Sequence, residues 1–393
     1  MTITRHYVLA AGGTGGHMMP AYALAAELMA RGHHAALVTD DRGARIPGAP
    51  EGLQVHVLPA GRLGGGPVGW VRAALAIRKG RAMAIELMRA FDPSAVIGFG
   101  GYPALPALLG ARALRIPTLI HDQNAVLGRV NRLIARRVDA IATSYPDVAR
   151  MPRRCEGKVH LVGNPVRDAV VDLRTKGYPP LGSESVFRLL VTGGSQGASI
   201  FADIIPDALA MMPLAFRQRL QVTQQCRPED IDRVRAAYAG HQIAADVATF
   251  IEDMPAKLDW AHLVIARAGA STIAELTCAG RPAILVPLPS ATDDHQTHNT
   301  REMVAVGGAR SIPQSRFTVV ELAKQMQKLA LEPGALEYAA TRALGVGRPN
   351  ATRDLADLVE RTGGAGLMDV IEVGSAALAN ARATQGGLAG AGA

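Results

Sequence analysis

The chain has 393 residues, 48 % of them apolar and only 4 % aromatic, with a net charge of +8. That is too long for one ordinary core and fits two domains packed mainly by small aliphatic residues. Three scattered cysteines, Cys155, Cys226 and Cys278, argue against a disulfide framework or a zinc site and for a reducing compartment.

The first residues lack the charged region and apolar core of a signal peptide. A strand is predicted at 7–11, and it stops in G-G-T-G-G-H (12–17). A helix follows to Arg31, closed by Gly32. Strands are predicted at 35–39 and 53–58, then a Gly-rich loop at 61–69 and a long helix near 70–90. That helix mixes Trp70, Val71 and Leu75 with Arg72, Arg78, Lys79 and Arg81, so it forms a poor amphipathic stripe. It fits a membrane-surface contact and an ordinary packed helix about equally.

The 18 uncharged residues at 94–111 approach the length of a membrane span, but four glycines and two prolines interrupt them. They read as a buried strand, a turn and a short helix. With strands at 95–99, 117–121 and 140–143, the first part has the pattern of a doubly wound parallel sheet. Residues 1–167 carry a charge balance of +11 and the remainder −3, which points to an anionic partner for the first half.

The pattern then restarts. A strand at 187–192 leads into G-G-S-Q-G-A (193–198) and a helix from Ser199, 181 residues after the first copy. The expected division is an N-terminal domain over 1–167 and a second Rossmann-like domain over 168–345. A C-terminal helix at 346–362 could return to the first domain. The Ala/Gly-rich tail at 363–393 is expected to be mobile, with no function legible in it.

A parallel strand that ends in glycines and feeds a helix makes a seat for an anion. Glycine lets the backbone approach a ligand, and the free N–H groups of the first helical turn carry partial positive charge. A dinucleotide fingerprint is the rival, and Asp40 supplies its acid, but the glycine spacing does not match G-x-G-x-x-G. Neither loop is a Walker A, because no Gly-Lys-Ser/Thr follows. Two such loops, one per half, favour a ligand held between facing domains. His17, at a helix N-terminus, should be held neutral by the dipole and could act as a general base. Its bland reading is a helix-start histidine bonded to the loop.

Other motifs fall at strand ends. H-D-Q-N (121–124) is poor core material and belongs at the ligand edge of a sheet. Arg167, in V-G-N-P-V-R, could clamp a diphosphate or simply be solvated. In R-A-G-A-S-T-I-A-E-L, Ser271 or Thr272 could cap a helix, and Glu275 either completes a capping box with Thr272 or accepts ribose hydroxyls. Asp293, Asp294, His295 and His298 could be read as metal ligands, but a polar loop touching a sugar or nucleotide fits better. Asp230-Ile231-Asp232 mimics D-x-D but reads as a solvated helix start.

Taken in order, G-G-T-G-G-H, G-F-G-G-Y, H-D-Q-N, V-G-N-P-V-R, G-G-S-Q-G-A, R-A-G-A-S-T-I-A-E and D-D-H-Q-T-H-N resemble the MurG family, over about 7–361. The resemblance implies a GT-B fold, in which two Rossmann-like domains face each other across a cleft. It implies transfer of N-acetylglucosamine from UDP-N-acetylglucosamine to the C4 hydroxyl of undecaprenyl-pyrophosphoryl-N-acetylmuramyl-pentapeptide, with inversion, no cofactor and no metal. The enzyme would work peripherally on the cytoplasmic side of the inner membrane, against an anionic surface and without nucleic acid.

Carried over by position, donor contacts fall on Thr14, Gly15, Gly16, Asn124, Arg167, Ser195, Ile251, Ala270, Ser271, Thr272, Ile273, Ala274, Glu275 and Gln296, with His295 as an alternative to Gln296. His17 would be the base. The family often has Glu where this chain has Asp122. A non-hydrolysing 2-epimerase, a nicotinamide-dependent oxidoreductase and a nucleotide-sugar binding module are the competing readings.

Overall fold

The computed structural model describes residues 4–59, 66–182, 184–194 and 197–364. The tail from 365, residues 60–65 of the first Gly-rich loop, and Ser195 lie outside the described residues.

Two parallel sheets organise the chain. The first holds β1 (His6–Ala10), β2 (His34–Thr39), β3 (Gln54–Val57), β4 (Ala95–Gly98), β5 (Thr118–Asp122), β6 (Ala140–Thr143) and β7 (Val159–Leu161), in the order β3-β2-β1-β4-β5-β6-β7. The second holds β8 (Phe187–Thr192), β9 (Leu220–Gln225), β10 (Ala244–Ala248), β11 (Leu263–Ala266), β12 (Ala283–Leu285) and β13 (Ala309–Ser311), in the order β10-β9-β8-β11-β12-β13. Helices cover both faces of each sheet, so the central strands are buried on both sides and read as near-continuous apolar runs. Strands 140–143 and 187–192 lie where the sequence predicts them, and the other predicted strands differ by one to three residues at an end. The uncharged 94–111 segment is β4, a turn and the helix Ala104–Ala113.

The long helix spans Gly66–Phe91. It does have a buried stripe, made of Ala73, Gly80, Ala84 and Met88. Small residues carry most of that stripe, so the pattern of large apolar residues hides it. A Cβ on Gly80 would fall 2.4 Å from the Pro59 carbonyl oxygen, which shows how closely this helix approaches the sheet.

The chain crosses between the sheets twice, after β7 and again before the last helix. The crossings touch: Gly163 has φ +95°, and a Cβ there would meet the Arg348 and Ala351 Cβ atoms at 2.8 and 2.9 Å. After the second crossing the helix Ala351–Thr362 packs on the first sheet, not the second. Its Leu355, Ala356, Leu358 and Val359 are buried with Tyr7, Leu9, Leu24 and Leu28. Arg31 binds Asp357 and Glu360 of that helix at 2.6 and 3.0 Å, and His33 Nε2 meets Glu360 at 3.0 Å.

Candidate active site

In an open parallel sheet, the crevice for a ligand opens where neighbouring strands send their connections to opposite sides. In the first sheet that point lies between β1 and β4. The turns leaving them are G-G-T-G-G-H and G-F-G-G-Y. In the second sheet it lies between β8 and β11, whose turns are G-G-S-Q-G-A and R-A-G-A-S-T. Four of the seven ordered motifs therefore flank the two crevices.

The first pair of turns interlocks by backbone alone. Gly12 N–H donates to the Gly100 carbonyl at 2.9 Å, and a Cβ on Gly101 would come within 2.5 Å of Gly12 Cα. Gly15 and Gly16 differ: a Cβ on either would meet nothing within 4 Å. Packing does not demand glycine there. Their side of the Gly15–Ala30 helix start is open, with first-turn N–H groups available to an anion.

His17 stands in that first turn, half-buried, over the Gly100–Gly101 bend. Its Nδ1 lies 3.0 Å from Thr14 Oγ1. With Nδ1–H donating to Thr14, Nε2 keeps its lone pair. Burial, with a smaller contribution from His295, pushes the imidazole pKa down to about 4. The ring is neutral, as expected, but burial rather than the helix dipole is the larger cause.

Asp40 does not serve as a ribose acid in this geometry. Its Oδ1 accepts the Gly43 N–H at 2.9 Å, and a Cβ on Gly13 would sit 2.2 Å from that oxygen. The glycine loop folds down onto the carboxylate that a dinucleotide would need.

H-D-Q-N corrects the expectation from sequence. His121, Asp122 and Gln123 are buried and bonded to one another and to neighbouring backbone. His121 Nε2 meets the Gly163 carbonyl at 2.9 Å, and its Nδ1 accepts from Gln123 at 3.0 Å. Asp122 accepts N–H groups of Asn124 and Gly128 and the amide of Asn131. Polar residues enter a core when they find buried partners: His121 and Gln123 bond each other, and Asp122 is held by backbone N–H groups and Asn131. Asn124 alone remains half-exposed.

Burial holds the His121 pKa near 4, against a usual 6.5. Below pH 6.5 the unfolded chain takes up that proton first, so this stability is full above 6.5, falls progressively below it and is gone by about pH 4. His17 and His262 shift in the same direction. The melting temperature should therefore drop between pH 6.5 and 4, and His121→Gln should flatten part of that slope.

In the second half, the helix Ala270–Ala279 begins earlier than a Ser271 or Thr272 cap would require. Its N-cap is Gly269, without a side-chain bond, so neither the cap nor the capping box forms. Ser271, Thr272 and Glu275 instead face a cleft of about 1160 Å³, together with Arg167 and Ile251. Tyr22, from the helix that follows the first glycine turn, lines the opposite wall. That volume accommodates a nucleotide sugar. Arg167 pairs with Glu275 at 2.7 Å across the cleft. Burial raises the Glu275 carboxyl pKa, and Arg167 opposes that rise.

Gln296 Oε1 accepts the Ala268 and Leu288 N–H groups at 3.1 and 2.9 Å, tying two turns together. His295 Nδ1 lies 2.7 Å from the Thr292 carbonyl. Asp293 is held by Arg129, Arg132 and Arg150. Asp230 is buried against Arg233 at 2.8 Å, where a solvated face is predicted. Asn299 closes the D-D-H-Q-T-H-N motif but gains no role in a sequence reading, and the three arginines on Asp293 escape it, because the partners across the two halves lie more than 140 positions away.

Comparison with known proteins agrees with this architecture. Residues 7–143 match the glycosyltransferase family 28 N-terminal domain, and residues 188–359 match the family 28 C-terminal domain. A protein of Novosphingobium aromaticivorans is 64 % identical over 95 % of this chain and 96 % of its own length. It is named UDP-N-acetylglucosamine--N-acetylmuramyl-(pentapeptide) pyrophosphoryl-undecaprenol N-acetylglucosamine transferase. One of Sphingopyxis alaskensis with the same name is 61 % identical over 95 % of this chain and 96 % of its own. The crystal structure of Acinetobacter baumannii MurG superposes with a TM-score of 0.75, at 30 % identity over 91 % of this chain and 99 % of that one.

Proposed function

The chain belongs to glycosyltransferase family 28, and from that membership, its near full-length relatives and its cleft we infer that it is a UDP-N-acetylglucosamine-dependent hexosyltransferase. It transfers N-acetylglucosamine to undecaprenyl-pyrophosphoryl-N-acetylmuramyl-pentapeptide in peptidoglycan synthesis. The observation that carries the reading is the cleft of about 1160 Å³ between the two halves. The helix after the first glycine turn and the helix after the Arg267–Gly269 turn form its facing walls.

The proposed chemistry is a direct displacement at the anomeric carbon. His17 Nε2 takes the proton of the acceptor C4 hydroxyl as that oxygen attacks, and UDP leaves with added negative charge. Arg167 and the free first-turn N–H groups at Ala270, Ser271 and Thr272 receive that charge, the Ile273 N–H being already bonded to the Gly269 carbonyl. Ile251 packs on the base of the nucleotide. Thr14, Gly15, Gly16, Asn124 and Gln296 hold the sugar, and no metal takes part.

Arg167 and Glu275 hold one another. The Arg167 side chain keeps 43 % of its surface in solvent, so water screens the pair to about 1 kcal/mol and a nucleotide can open it. Arg167 then turns to the diphosphate and frees Glu275 for ribose hydroxyls. Glu275→Ala should raise the donor KM several-fold with a smaller effect on kcat. An unchanged donor KM would leave Glu275 only its pairing with Arg167.

Among the described residues, no helix is long and apolar enough to cross a membrane. We propose peripheral attachment to the cytoplasmic side of the inner membrane instead. Trp70, Val71 and Leu75 are 57–61 % exposed on the Gly66–Phe91 helix, among the exposed Arg72, Arg78, Lys79 and Arg81. An apolar cluster ringed by cations suits an anionic lipid surface.

The deciding experiment incubates labelled UDP-N-acetylglucosamine with a short-chain lipid acceptor, and with each omitted. Label should enter the lipid only when both are present. Turnover of the donor without acceptor would favour an epimerase. Thermal stabilisation by NADH and not by UDP would favour an oxidoreductase.

A further inference from the structure

Asn299 lies near the start of the helix His295–Ala305 and is fully buried. Its Oδ1 accepts the Ala125 N–H at 2.8 Å. Its Nδ2 donates to Asn124 Oδ1 at 3.1 Å and to the Ala268 carbonyl at 3.2 Å. One amide thus joins the loop after β5, in the first half, to the turn after β11, in the second. Both side-chain polar atoms have partners, and none of those partners is on its own helix.

Six residues earlier the same segment is anchored again. Asp293 receives Arg132 at 2.6 Å, Arg150 at 2.8 Å and Arg129 at 3.5 Å, all from the first half. Asp293 and Asp294 have φ +57° and +55°, a left-handed conformation that side chains other than glycine adopt at a cost. Such strain persists where the surroundings over-determine it, and here three guanidinium groups hold Asp293. Two anchor points on one rigid segment fix orientation as well as distance.

We propose that Asn299 is a positioning residue for the transfer. It holds Asn124, on the acceptor half, at a set spacing from the first turn of Ala270–Ala279, on the donor half. This rests on the reading that Asn124 and that helical turn touch the donor. Asn299 itself touches no substrate. It acts by keeping the two walls of the reaction centre in register, where a small misplacement is enough to slow a displacement reaction.

The test uses the full chain with Asn299→Ala and Asn299→Asp. The Asp variant keeps an acceptor for Ala125 but points an oxygen at two carbonyl oxygens. Both variants should lose about 10-fold or more in kcat with the lipid acceptor, while the Kd for UDP stays within about two-fold. Spin labels at the exposed positions 133 and 338 should report a broader distance distribution between the halves. Asn124→Ala combined with Asn299→Ala should be no worse than the poorer single variant, because both break one linkage.

A folded Asn299→Ala with normal kcat would overturn the proposal. So would strictly additive losses with an unchanged distance distribution, or a fall in kcat matched by the fraction of chain unfolded. Should Asn299→Ala not fold, Asn299→Ser carries the same comparison. An inactive parent chain would instead overturn the transferase reading, which separates the two failures.

Discussion

His17→Ala is expected to lower turnover by ~10²-fold or more while UDP binding persists. The acceptor hydroxyl is a poor nucleophile until a base takes its proton, and we propose His17, in the first turn of the Gly15–Ala30 helix, for that role. The low pKa serves availability. At about 4, the ring is in its basic form throughout the neutral range, so protonation does not compete with catalysis.

The pH profile follows with a definite sign. If His17 is the base, kcat/KM should hold its plateau as pH falls past 6.5 and decline only on approach to about 4. His295 contributes to the low value, so replacing it by Gln should move that acid limb upward in pH. Near-normal turnover in His17→Ala, or an acid limb that survives the substitution unchanged, would remove His17 from the role. Measuring UDP affinity by calorimetry in the same variant separates a lost base from a damaged site.

Deleting residues 351–364 should abolish the cooperative folding of the first half. Leu355, Leu358 and Val359 are at most 3 % exposed, and burial of side chains of this size is worth about 1.5–3 kcal/mol each. Together that is comparable with the whole stability of a typical domain, about 5–15 kcal/mol. The deletion also removes the partners of Arg31 and His33 and uncovers Tyr7, Leu24 and Leu28. Calorimetry on the truncated chain should lose the transition of the first half, while the second half, whose core lies elsewhere, still responds to UDP. An unchanged melting profile would show that the helix is dispensable to the first sheet. Because the helix is reached through the second crossing, its docking also tethers the two halves at a second place.

Much of this protein is written locally in its chain. Short segments that are apolar at most positions and lead into glycine mark β1, β4 and β8, because a strand buried on both faces needs no alternation. The restart after 181 residues shows two sheets, and the ordered motifs point to the family. Those signals survive in sequence because backbone approach and positive φ restrict residue identity at the position itself, as at Gly12 and Gly101.

Tertiary structure alone decided which polar groups are available. His121, Asp122 and Gln123 look like site residues in the chain, yet the fold gives each of them buried partners. Glu275 looks like half of a capping box until the helix start at Ala270 and the approach of Arg167 reassign it. The small-residue stripe under the Gly66–Phe91 helix and the docking of Asn299 are settled by elements far away in the chain. A hydrogen bond or a close contact belongs to two segments at once, and one segment's sequence carries only half of it.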